Sequence, residues 1–215
     1  MDSITQAMLG AVTAQLGFRQ RIGRDASWVA ALAAYSPDVD SFVAPLARHM
    51  GYDVGDMSGM VFHRGLGHSL MMVPVIALIF AALWWFIRRK LLRKNTQDNR
   101  HPPTFRLLYA CTFVAVLSHP LLDLLTSYGI QLFAPITSGR YAIDTVAIID
   151  VFYSSILIIT LVACYVVRKV SRPARRTALI IGWAGFLLSC GYLAAGRATH
   201  VDFGTGLSGP GKSRW

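Results

Sequence analysis

Residues 70–87 run eighteen positions without a charge and are closed by Arg88-Arg89-Lys90, with Arg93 and Lys94 just beyond. A helix rises about 1.5 Å per residue, so such a run is at the threshold for crossing the roughly 30 Å hydrocarbon core of a bilayer. Apolar runs recur at 107–122, at 146–167, where Asp150 interrupts early, and at 177–196. Within lipid a helix satisfies its own backbone polar groups. The expected fold class is therefore all-α, a polytopic membrane protein with about four clear transmembrane helices. With 54% hydrophobic and only 15% charged residues, a water-soluble globule is excluded on composition.

Two shorter segments precede these runs. Residues 3–18 are charge-free, with Ala7, Gly10, Ala11, Ala14 and Gly17 recurring at helical spacing, a face that permits close helix packing. As a helix they reach only about 24 Å, short of a comfortable span. After a basic turn (Arg19, Arg21, Arg24), Asp25 or Ser27 can cap an Ala-rich helix from Trp28, which stops near Ser36 because Pro37 pushes its predecessor out of the α region. The expected result is an N-terminal helical hairpin, shallow or spanning. Residues 45–62 read as an irregular loop. Cys111, Cys164 and Cys190 sit in apolar runs without CxxC spacing and are expected to be buried small hydrophobes. Residues 1–196 form one membrane-embedded domain, and the Gly/Ser-rich stretch 197–215 is expected to be a flexible tail.

A net charge of +10 would suggest nucleic acid in a soluble protein. Here the turns at 19–24, 88–106 and 168–176 hold fifteen of the twenty-one Lys and Arg residues. With alternating segments all three fall on one side, and the positive-inside rule makes that side the cytoplasm. No nucleic-acid partner is expected, and the protein is expected to be a multi-pass membrane protein with membrane lipids around it.

This topology sends Gln6, Asp38, Asp40, His63, His68, His119, Asp123, Asp144 and Asp150 to the outer ends of their segments. Carboxylates and imidazoles at membrane depth are costly unless paired or bound to something. Converging His and Asp suit a borderline divalent cation, Zn²⁺ foremost, with Mn²⁺ or Fe²⁺ as alternatives. His119 and Asp123, four apart, share a helix face, although Pro120 disturbs it. Asp38-Val39-Asp40 puts two carboxylates at a helix exit. His63-Arg64-Gly65-Leu66-Gly67-His68-Ser69 holds two imidazoles five apart across a glycine-containing turn. Each spacing alone is also explained by helix caps or His–Asp pairs that lock helices. Asp144 and Asp150 could orient imidazoles or cap the next span, and the cap reading is favoured. Arg64 and Arg140 could clamp a phosphate or carboxylate.

Together with Asp2-Ser3-Ile4-Thr5, Ser118-His119-Pro120-Leu121-Leu122-Asp123 and Thr126-Ser127-Tyr128-Gly129, these blocks resemble, in order, the bacterial inner-membrane metal-dependent hydrolases of the YdjM type. That family is held to be distantly related to zinc-dependent phospholipase C and P1-type nucleases. The resemblance implies a hydrolase, in particular a phosphoesterase acting on a lipid, lipid-linked or small-molecule substrate at the extracytoplasmic face. His63, His68, His119 and Asp123 would be ligands, Asp38 and Asp40 ligands or general base, and Arg64 or Arg140 would hold substrate charge. Many relatives have His where this chain has Gln6, and usually Thr at Gly67. Gln is a poor zinc ligand, so a site using that His would lose a donor, with water in its place or a more weakly bound ion. The alternatives are a metal-binding transporter or sensor without hydrolysis, or a structural membrane protein.

Overall fold

The computed structural model describes residues 1–39, 49–51, 66–91, 104–137, 139–147, 149–170 and 174–206. In order these form α1 (Ser3–Gln15), α2 (Phe18–Ile22), α3 (Ala26–Tyr35), a 3-10 turn (Ser36–Val39), a second 3-10 turn (Leu66–His68), α4 (Met72–Leu91), α5 (Phe105–Leu124), α6 (Val151–Val170) and α7 (Ala174–Gly206). No strand occurs among the described residues; isolated bridges join Thr126 to Val146 and Ile130 to Tyr141. Among the described residues, four stretches are long and apolar enough to cross a membrane: Met72–Lys90, Phe105–Leu124, Val151–Val170 and Arg175–Ala198. The all-α membrane fold read from the sequence is the one found.

The bundle is organised around α5, half of whose apolar window is buried, against about a fifth in the other three spans. Those three turn Leu78, Ile79 and Leu83, then Ile158, Ile159 and Val162, then Ile180, Leu187 and Leu188 outward. Exposed aliphatic faces of that extent are what a bilayer covers.

The N-terminal hairpin begins at Asp2, whose carboxylate accepts from Thr5 N (2.9 Å) and Thr5 Oγ1 (2.7 Å), capping α1. α1 and α3 then meet backbone to backbone. A Cβ on Gly10 would stand 2.5 Å from Ala34 Cβ and 2.6 Å from the Ala30 carbonyl oxygen, so glycine is required there. At the turn of the hairpin, Gln20 Nε2 donates to the Arg175 carbonyl (2.7 Å) and Arg88 Nη1 to the Ile22 carbonyl (3.0 Å). Arg88 Nε pairs with Asp25 at 2.9 Å. Sixteen residue steps separate Met72 from Arg88, about 24 Å of helix. The hairpin therefore reaches the basic ends of α4 and α7, although neither α1 nor α3 is long enough to span by itself. The described basic residues of the three turns consequently gather at one end of the bundle.

Several boundaries differ from the sequence reading. The run at 146–167 becomes helical only at Val151, because Asp150 Oδ1 accepts from Tyr153 N (2.9 Å) and caps α6, while Thr145 N donates to the Leu125 carbonyl (2.7 Å). Asp144 is exposed at a positive φ of 49° in the irregular stretch before α6. α7 continues through Arg197 to Gly206, so the expected start of the tail falls inside a helix. Cys111 and Cys164 are buried, but Cys190 is exposed on the outer face of α7. The irregular loop expected at 45–62 lies largely outside the described residues.

Candidate metal centre

At the end of the bundle away from the basic turns, four ionisable side chains from three elements are buried together. Asp38 enters from the turn after α3, His68 from the turn before α4, and His119 and Asp123 from the last turns of α5. Pro120 does not break α5, and His119 and Asp123 remain one turn apart on the same face, with Nε2 to Oδ2 at 3.7 Å. His68 Nε2 lies 3.2 Å and His119 Nε2 3.4 Å from Asp38 Oδ1. His68 Nε2 is also 3.7 Å from Asp123 Oδ2, and the two imidazoles meet edge to face at 4.8 Å. Asp38, His68 and His119 each offer one donor atom within 4.8 Å of the others. Burial is nearly complete, from 0% exposure for both histidines to 4% for Asp38.

The surroundings fix these donors. His119 Nδ1 donates to the Ala34 carbonyl at 2.6 Å, which turns Nε2 toward Asp38 and Asp123. Nε2 is buried and makes no hydrogen bond among the described residues. Gln6 Nε2 donates to Asp123 Oδ1 (3.0 Å) and more weakly to the His119 carbonyl (3.4 Å). The Met1 amino group also pairs with Asp123 Oδ1. Around Asp38, burial opposes ionisation, but the His119 and His68 rings beside it outweigh burial and hold the carboxyl well below the usual range. Burial pushes the His68 imidazole down, against the pull of Asp38, which favours the neutral ring that ligates metals.

The donor set fits a divalent cation. A tetrahedral shell with metal–ligand distances near 2.05 Å has edges of about 3.4 Å, and the two distances from Asp38 Oδ1 to the imidazole nitrogens are 3.2 and 3.4 Å.

Of the residues singled out in the sequence, Asp38, His68, His119 and Asp123 come together. Asp40, His63 and Arg64 lie outside the described residues. Arg140 is exposed on the α5–α6 loop and does not belong to the buried group. Asp150 is a helix cap that also accepts from Tyr192 Oη at 2.8 Å. Gln6 sits beneath the cluster as a hydrogen-bond donor to Asp123, a role that its place as a substitute for His does not suggest. The Ala34 carbonyl and the Met1 amino group escape sequence reasoning too, since a backbone group carries no signature in the sequence.

Residues 1–198 match the family model described as YdjM inner membrane protein, and the chain belongs to that family. No curated protein and no solved structure matches it. Family and spans together make it a multi-pass inner-membrane protein.

Proposed function

We propose that this member of the YdjM inner-membrane family is a metal-dependent hydrolase whose divalent cation is held by Asp38, His68 and His119, with Asp123 as the adjoining carboxylate. The observation that carries the reading is the buried triad itself, with three donor atoms from three elements within 4.8 Å. Nitrogen and carboxylate donors in that ratio favour Zn²⁺, then Mn²⁺ or Fe²⁺. A cation there would lower the pKa of a bound water toward neutrality and polarise a scissile phosphoryl or carbonyl oxygen.

The protein's own contribution is orientation. Ala34 fixes the tautomer of His119, and Gln6 steadies Asp123. Asp40 is assigned as general base, and Arg64 and Arg140 as clamps on substrate charge. The basic turns at the opposite end support a cytoplasmic assignment for that end, and with it an extracytoplasmic assignment for the cluster. A lipid or lipid-linked phosphoester is the substrate class within reach there.

Elemental analysis of detergent-purified protein tests this first, beside an Asp38→Asn/His119→Gln variant. Stoichiometric zinc, manganese or iron in the wild type, lost in the variant, with metal-dependent cleavage of phospholipids or lipid phosphates, is the expected result. A folded wild type that takes up no metal overturns the site. Metal without turnover on any lipid phosphoester overturns the hydrolase.

A further inference from the structure

A groove of about 960 Å³ opens between the N-terminal hairpin and α6, toward the basic end of the bundle. One wall is apolar, built from Met8 of α1, Trp28 of α3, and Leu161 and Tyr165 of α6, with Trp28 73% exposed. The floor carries Arg19, Arg24, Arg168, Lys169 and Arg175, and no carboxylate lines the groove among the described residues.

This concentration of charge is unbalanced. Arg19 and Arg168 line the same groove. Arg19 Nη1 reaches the Ser27 hydroxyl at 3.3 Å, but Nε and Nη2 of Arg168 are buried and meet no hydrogen-bond partner among the described residues. Arg88, at the same end of the bundle, shows the contrast, with Asp25 at 2.9 Å and the Ile22 carbonyl at 3.0 Å. Guanidinium nitrogens shut off from water without acceptors are costly, and an anion from outside relieves that cost for a half-buried side chain. The guanidinium fork matches phosphate oxygens, and basic pockets between transmembrane helices are suited to anionic headgroups.

We propose that this groove binds an anionic glycerophospholipid, its phosphate between Arg19 and Arg168 and its acyl chains along Trp28, Leu161 and Tyr165. The site shares no residue with the Asp/His cluster, and the proposal stands apart from the hydrolase reading.

Trp28 supplies the reporter. The full-length protein in maltoside micelles is titrated with phosphatidylglycerol or phosphatidylcholine brominated on the acyl chains, and the Trp28 signal is isolated by subtracting a Trp28→Phe variant. At about fivefold per basic residue, phosphatidylglycerol is expected to quench Trp28 at roughly 25-fold lower mole fraction than phosphatidylcholine. An Arg19→Gln/Arg168→Gln variant should close most of that gap. Equal quenching by the two lipids overturns the proposal, and this wild-type comparison holds whether or not the double variant folds. Inorganic phosphate, at ionic strength matched with chloride, should leave the quenching intact. If phosphate alone displaces the lipid, the groove is an anion recess and the lipid assignment fails.

Discussion

Replacing Gly10 with Ala tests the link between helix packing and the metal centre. The added Cβ would stand 2.5 Å from Ala34 Cβ and 2.6 Å from the Ala30 carbonyl. Carbon atoms settle at about 3.5–4.0 Å, so α3 must retreat from α1 by about 1 Å. The Ala34 carbonyl, which receives His119 Nδ1 at 2.6 Å, moves with it. At about 3.6 Å that contact is no longer a hydrogen bond. Overpacking of this kind costs about 1–3 kcal/mol, and losing the partner that orients a ligating imidazole lowers metal affinity about 10–100-fold. Thermal unfolding in detergent measures the first, and competition with a chromophoric chelator the second. Gly191→Ala is the control, since a Cβ on Gly191 meets nothing within 4 Å; it should leave metal affinity unchanged and lower the melting temperature not at all, Ala being the better helix former. A Gly10→Ala protein with wild-type melting temperature and metal affinity would refute the argument at its first step.

The described contacts carry two further outcomes. Protons compete with metal for the imidazoles, and burial has already pushed His68 down. Bound metal, measured by dialysis and elemental analysis, should therefore be retained at neutral pH and lost as the pH falls below about 6.5, the ordinary imidazole value. Without metal, the unfolded chain binds a proton at His68 that the fold refuses, so stability in chelator should decline across the same window as pH falls. Separately, Asp150→Ala removes both the cap on Tyr153 N and the acceptor for Tyr192 Oη. It should cost about 1–2 kcal/mol in thermal unfolding while leaving metal content unchanged.

The four spans are legible because run length alone decides whether a helix can cross a bilayer. The start of α6 is not, because residues 146–149 are as apolar as the helix itself and only the Asp150 side chain marks its end. Asp38, His68, His119 and Asp123 stand out because ionisable groups in apolar surroundings demand a reason. Their convergence depends on α5 continuing through Pro120, which the sequence leaves open. A missing N–H is tolerated in a helix packed on several sides, as α5 is. Ala34 reads as one more small residue in an Ala-rich helix, and nothing in its identity signals that its carbonyl orients His119.

The short N-terminal hairpin has a consequence for biogenesis. With thirteen and ten residues, α1 and α3 extend about 20 and 15 Å, too little to partition into a bilayer as independent spans. They can be admitted only against spans already in place, so the segment that precedes the others in sequence settles after them. Asp38, at the hairpin's exit, then arrives late beside a His119 that has been waiting in α5. At the proposed metal site, uptake would wait on the docking of the hairpin that carries Asp38.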